Sequence, residues 1–315
     1  MPVRGDALMG ARPRPQRVLL VANPVARTVS RPVLDVIEKA LAADFKLEVD
    51  ETRRRGHATE LAMEAVRDGY DMMVVFSGDG TINEAVNGLA RSDVALGILP
   101  GGATNVLARV SGMPTDPVEA TSWLIAAALQ GRARRMGLGR VDGRYFMLNC
   151  GSGIDAEAMG MVDQRQAESR KQFERAALSA VLKTVLLRYA GLEPFMSVSV
   201  DGGEPVEAIT ALVGRTNPYT YYKRFGLQLT PHASLEGGLD VTIVTSLTRM
   251  SALPLVRQVF SGGLIKRRDV VYAHDASSVE IRGRRPFPVQ VDGDAIGSRD
   301  HLEVGLERDA LWLVA

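Results

Sequence analysis

The sequence predicts an α/β protein of two domains, a doubly wound and mostly parallel sheet first and a mainly antiparallel β half second. Three observations predict this. Short apolar runs alternate with stripes of helical period as far as Gln130, which implies crossover connections and a parallel sheet. Two of those runs end in glycine-rich turns that open a helix at once, at Gly78-Asp79-Gly80 and at Gly101-Gly102. From about Met136 the period shortens to two, as in Met196, Val198 and Val200 before the hairpin-type turn Asp201-Gly202-Gly203.

Taken in order, residues 1–16 read as a basic, flexible leader, with arginines set among prolines and no apolar core of the kind a signal peptide needs. Val18 to Ala22 is a first strand ending at Asn23-Pro24. A helix follows, with Val33, Val36, Ile37, Ala40 and Leu41 on one face. Phe45 to Val49 is a second strand, and after Thr52 and Gly56-His57-Ala58 the stripe Leu61, Ala62, Ala65 and Val66 marks a second helix, with His57 at its start. Met72 to Phe76 is a buried strand, followed by Ile82, Ala85, Val86 and Leu89 at helical spacing. Val94 to Leu99 is a fourth strand, and Ser122 to Gln130, ended by Gly131, is a packing helix that buries Trp123. The arginines at 132, 134 and 135 mark a boundary, giving domains at 17–135 and 136–315. In the second half one helical interruption, Ser169 to Tyr189, carries Arg170, Lys171 and Arg175 near its start and an apolar stripe including Leu178, Val181, Leu182, Val185 and Leu186. It reads as packing on the sheet or as a lipid-facing lid. The last run, Leu302 to Ala315, reads as closing strands, with the chain end expected to pack back on the first domain.

Composition narrows the function. The 315 residues are 46% hydrophobic and carry a formal charge of +1, so no global field argues for nucleic acid. A single cysteine, Cys150, excludes an intramolecular disulfide and a cysteine-based zinc site, which suits a reducing cytosol. No apolar run approaches transmembrane length.

The chemistry centres on Ser77 to Leu89. Gly78 and Gly80 let backbone approach a ligand, and the amides at the helix start favour an anion, with phosphate the natural guest. The loop lacks the P-loop lysine and the strict dinucleotide fingerprint. Asp79 at its centre suits a metal held beside phosphates, or a hydroxyl that must lose its proton; simple capping is the alternative.

The stretch Ser77-Gly78-Asp79-Gly80-Thr81-Ile82-Asn83-Glu84-Ala85-Val86-Asn87-Gly88-Leu89 closely resembles the signature block of the diacylglycerol kinase catalytic-domain family, which includes bacterial lipid kinases, sphingosine kinases and ceramide kinases. Further blocks from Asn23 to Asp294 are similar to that family. The resemblance implies a β-sandwich second domain and transfer of the γ-phosphate of ATP, with Mg²⁺, to a hydroxyl of a membrane lipid such as diacylglycerol, in the crevice between the domains. It implies nucleotide contacts from Asn23, Pro24, Thr52, Gly78, Asp79, Gly80, Thr81, Asn83, Glu84, Gly102, Ala103, Thr104 and Asn105, with Ala103 standing where many relatives carry a hydroxyl. It implies a structural metal at Ala233, Glu236 and Gly238, and Asp155 on the substrate side. The base on the lipid hydroxyl is Asp79 or Asp294, the latter one methylene shorter than the glutamate of bacterial relatives. The expected partners are a membrane lipid reached by peripheral contact with the inner face of the membrane from the cytoplasm, and no nucleic acid; a homodimer stays open. A non-catalytic nucleotide or lipid sensor and an NAD kinase are the competing readings.

Overall fold

The computed structural model describes residues 12–161, 179–181, 183–222 and 225–314. They form two compact units: the first ends at Leu138 and regains the chain from Glu307, and the second is Gly139–Leu306.

The first unit runs β1 (Arg17–Ala22), α1 (Arg31–Ala42), β2 (Lys46–Glu51), α2 (His57–Arg67), β3 (Met72–Ser77), α3 (Asp79–Leu89), β4 (Ala95–Pro100), α4 (Val106–Val110) and α5 (Pro117–Leu129). The strands lie in the order β2-β1-β3-β4 and are all parallel, and near the chain end Trp312 and Leu313 add to β4, again parallel. Burial follows position. Every residue of β3 and β4 is buried, as their continuous apolar runs require, whereas the edge strand β2 leaves several side chains exposed. Leu34, Ile37 and Leu41 of α1 pack with Val18, Leu20, Val74, Phe76 and Leu124 to make the core on one face. The last helix begins earlier than its apolar stripe suggests. Asp116 accepts the amides of Val118 and Glu119 and Pro117 takes the first helical position, a capped start that the alanine-rich stripe hides. Trp123 is only partly buried, with the Arg132 guanidinium 5.5 Å from its ring centre.

The second unit holds most of β5 (Ala133–Val141), then β6 (Arg144–Phe146), β7 (Asn149–Ser152), α6 (Ile154–Gly160), a π-helical turn at Thr184–Tyr189, β8 (Met196–Val200), β9 (Val206–Ala208), β10 (Thr210–Gly214), the short pair β11 (Tyr221–Tyr222) and β12 (Phe225–Gly226), β13 (Leu239–Val244), α7 (Arg249–Ser261), β14 (Val270–Ala276), β15 (Ser278–Val291) and β16 (Asp294–Val314). Neighbours β14-β13-β10-β7-β15-β16 pair antiparallel, and β8 pairs with the first half of β15. This is a β-sandwich-like domain with Phe146, Met196, Val213, Val241, Ile281, Phe287 and Val289 in its core. Helix α7 is not foreseen by the alternating texture, yet it carries a local start signal: Thr248 and Ser251 exchange side-chain to backbone hydrogen bonds as a capping box. Of the helix expected at Ser169 to Tyr189, residues Arg170, Lys171, Arg175, Leu178 and Leu182 lie outside the described residues. The remainder buries Val185 and Tyr189 in the sandwich core and leaves Leu187 exposed. Among the described residues no helix is long and apolar enough to cross a membrane.

Candidate active site

In the first unit the two glycine turns touch. β3 and β4 are adjacent and parallel, so Ser77-Gly78 and Gly101-Gly102 emerge side by side at their carboxyl ends. A Cβ on Gly102 would stand 2.6 Å from the Gly78 Cα, and one on Gly101 would stand 2.7 Å from the Ser77 Cα. Both glycines are therefore required by close backbone approach. A Cβ on Gly80 would meet no protein atom within 4 Å, which leaves open space beside the first turn of α3.

The two helix starts differ. Asp79, the first residue of α3, accepts the Val106 amide on Oδ2 at 3.0 Å and the Leu107 amide on Oδ1 at 3.1 Å. It thus caps α4 from the neighbouring turn. Enclosure by protein pushes the Asp79 carboxyl above its ordinary range, and the Val106 and Leu107 amides and the charge of Arg109 pull the other way. α3 has no side-chain cap of its own, so its first-turn amides remain as the anion-facing donors of this turn. Asn105 holds the second loop closed: in a left-handed conformation, it accepts the Gly102 amide on Oδ1 at 2.8 Å and donates from Nδ2 to the Gly102 carbonyl at 3.2 Å. Ala103 and Thr104 lie inside the loop that it ties.

The Asn23-Pro24 turn joins them. Asn23 Nδ2 donates to Thr81 Oγ1 at 3.0 Å, and the Thr28 amide and hydroxyl donate to the carbonyls of Gly101 and Pro100. Thr52 leaves the end of β2 with its amide on the Ala22 carbonyl. Asn83 is buried and Asn87 Nδ2 donates to its carbonyl, while Glu84 receives the Thr59 hydroxyl on its backbone carbonyl. The Asn83 to Leu89 segment is also a packing motif, since a Cβ on Gly88 would fall 2.5 Å from both Ala62 Cβ and the Thr59 carbonyl oxygen of α2.

In the second unit the acids form one network. Asp155 accepts the Tyr219 hydroxyl at 2.6 Å and Gln290 Nε2 at 2.6 Å. Gln290, with no exposed surface, also donates to Asn149 Oδ1 at 2.7 Å and accepts the Gly293 amide on Oε1 at 2.7 Å. Asp292 accepts the amides of Met147, Leu148 and Asn149, each at 2.9 Å, and Asp294 is paired with Arg144 at 2.9 Å. Asp155 and Asp292 retain some surface area but are walled in by protein. Enclosure raises both carboxyls, Asp292 to about 6, against hydrogen bonds that favour the ionised form.

The loop expected to hold a structural metal is organised differently. Arg215 is fully buried and its guanidinium donates to the carbonyls of Leu235 at 2.8 Å, Gly238 at 2.8 Å and Gly237. Gly238 offers its carbonyl to a cation that the chain itself supplies, Glu236 is exposed, and Ala233 is buried. A divalent ion on the Gly238 carbonyl would stand beside the Arg215 charge, so these residues do not fit magnesium as arranged.

Two family models cover the chain in succession. Residues 17–141 match the diacylglycerol kinase catalytic domain, and residues 149–305 match the YegS C-terminal NAD kinase beta sandwich-like domain. Residues 17–141 thus carry a diacylglycerol kinase catalytic domain, and the two matches in succession show a diacylglycerol kinase-like phosphotransferase. Curated diacylglycerol kinases of Staphylococcus saprophyticus and Staphylococcus carnosus are 25% and 27% identical to it, in each case over 93% of this chain and 96% of the relative. A solved structure from Bacillus anthracis str. Sterne, provisionally assigned as a diacylglycerol kinase, superposes with a TM-score of 0.77 at 22% identity, covering 96% of both chains, and so shares the fold.

Several residues that the sequence does not single out as site candidates belong to these contacts. Thr28, Arg109, Arg144, Tyr219 and Gln290 all touch the groups described above or act on their charge. Arg109 has a sequence signal in its place on the stretch opened by the second glycine turn, Gly101-Gly102. Gln290 has no such signal: it is a polar residue near the end of an apolar strand, and Asp292 already lies in the turn beyond it, with a left-handed backbone. Thr28 and Tyr219 lie in loops whose contacts no periodicity announces.

Proposed function

We propose that the protein is an ATP-dependent lipid kinase that transfers the γ-phosphate of ATP to a hydroxyl of diacylglycerol or a related membrane lipid alcohol, reached by peripheral contact with the membrane. The observation that carries this reading is the paired glycine turn, in which an uncapped helix start at α3 offers backbone amides to phosphates beside the loop that Asn105 ties, within a diacylglycerol kinase catalytic domain. Asn23, Pro24, Thr52, Thr81, Ala103 and Thr104 stand on or beside these turns and line the nucleotide; Asn83 and Glu84 support them from within α3. Mg²⁺ accompanies ATP in this reading and supplies charge neutralisation at the phosphates. Asp294 takes the proton of the lipid hydroxyl as that oxygen attacks the γ-phosphorus and ADP departs. Asp294 is preferred to Asp79 because both Asp79 oxygens already accept α4 amides, which favour its ionised form and oppose proton uptake.

The test is transfer of label from ATP to a panel of lipid alcohols in mixed micelles with Mg²⁺. A labelled lipid is the expected result and names the acceptor. Saturable ATP binding without any labelled lipid would replace the kinase by a sensor, and label on NAD would replace it by an NAD kinase.

The glycine contact gives a second expected outcome. Gly102→Ala pushes a methyl into the Gly78 backbone, which lowers stability by about 1–3 kcal/mol and weakens ATP binding by at least roughly tenfold, about 1.4 kcal/mol per decade. Urea unfolding together with ATP titration checks both. Wild-type affinity in a destabilised protein would separate the contact from nucleotide binding.

A further inference from the structure

Gln290 is a buried amide whose hydrogen-bonding groups are spoken for. Its Nε2 meets Asn149 Oδ1 and Asp155 Oδ2, and its Oε1 meets the Gly293 amide. The orientation of the amide is dictated by its partners: an N–H at Gly293 requires an acceptor, and a carboxylate at Asp155 requires a donor. Gly151 makes room for the arrangement, because a Cβ there would overlap Asp155 Oδ2 and lie 2.9 Å from Gln290 Nε2. Gly293 has a positive φ of 85° and sits between Asp292 and Asp294 in the turn that joins β15 to β16. Asp292 anchors one side of that turn on three amides, and Gln290 is the side chain that takes the amide at its tip.

We propose that Gln290 is a positioning residue for phosphoryl transfer: by bridging Asp155 to the Gly293 amide it fixes the turn that aims Asp294 at the acceptor hydroxyl. The inference rests on the reading of Asp294 as the base. The charged and titratable groups around the bridge are Tyr219 on Asp155, Asp292 and Arg144 beside the turn, and the buried Cys150 on β7, whose thiol burial and the neighbouring carboxylates push up.

The chemistry of the bridge supplies a test that loss of packing would not imitate. Gln290→Glu sets a carboxylate against the Asp155 carboxylate and withdraws the donor, so the bridge breaks when both are ionised. Once protonated, the same side chain donates O–H to Asp155 and accepts the Gly293 amide, which restores it. Lipid kinase rates are measured from pH 6 to pH 8.5 at saturating ATP for wild type, Gln290→Glu, Gln290→Met and Asp294→Asn, with thermal unfolding of each as the folding control.

The expected result for Gln290→Met is a kcat roughly 10–100-fold lower with the KM for ATP unchanged. For Gln290→Glu a comparable loss at pH 8 is expected, with recovery of at least about tenfold towards pH 6 while the wild-type rate does not rise. If Gln290→Met fails to fold, the pH profile of Gln290→Glu decides alone. A Gln290→Glu profile parallel to wild type, or a wild-type kcat in Gln290→Met, with Asp294→Asn inactive, overturns the bridge and leaves the base reading intact. Full activity in Asp294→Asn removes the base reading, and with it the catalytic use of the bridge.

Discussion

Asp294→Asn is expected to lower kcat for lipid phosphorylation by about 10²–10⁴-fold, the range typical for loss of a general base. The KM for ATP and the unfolding midpoint are expected to stay close to wild type. The reason is local. Asp294 is about one-third exposed, so no buried charge is lost, and the asparagine oxygen can still accept from Arg144. In the proposed reading the nucleotide lies on α3 and the Gly102 loop, elements other than the turn that carries Asp294. Initial rates with varied ATP and varied lipid separate the two parameters. A change confined to the KM for lipid would make Asp294 a binding group, and a wild-type kcat would return the role to Asp79.

Arg215→Ala is expected to be among the most destabilising single changes in the chain, by about 3–5 kcal/mol, because it opens a cavity and strands buried carbonyls at Leu235, Gly237 and Gly238. Each unsatisfied buried carbonyl costs on the order of 1–3 kcal/mol, and the three are not additive because the loop can relax towards water. The same geometry predicts the metal response. In the absence of nucleotide, Mg²⁺ and EDTA are expected to leave the wild-type unfolding midpoint unchanged, since a ligand that does not bind the native state cannot stabilise it. Urea unfolding of both proteins with and without Mg²⁺ is the measurement. A rise in wild-type stability on adding Mg²⁺ would show that Glu236 and the neighbouring carbonyls hold a metal despite the guanidinium.

The parts of the candidate site that were legible in the sequence are those in which a short motif is itself the structure. Gly78-Asp79-Gly80 and Gly101-Gly102 could be read as strand-to-helix turns because each follows an apolar run and opens a helix, whereas the need for glycine at Gly101 and Gly102 is tertiary, set by the neighbouring turn. The adjacency of the two turns follows from the parallel order of β3 and β4. What Asp79 does with its carboxylate was not legible. Its partners, the amides of Val106 and Leu107, are 27 and 28 residues away along the chain. Helix α7 escaped for another reason, since its capping box is local but its apolar pattern is weak beside the strands around it.

The acids of the second half show the same divide. Asp155, Asp292 and Asp294 were visible as turn residues, but nothing in their spacing reveals that Gln290 ties the first to the turn that carries the others, across 135 residues of sequence.

The sequence by itself therefore determined the alternation of strands and helices, the two glycine turns, the change to antiparallel texture and the family, because each is written in local periodicity or in contiguous motifs. Only the tertiary structure decided which acid caps a helix and which faces an arginine, and whether a loop's carbonyls meet a metal or Arg215. Those outcomes depend on which distant backbone and side-chain groups folding brings within about 3 Å, the range over which hydrogen bonds and ion pairs act.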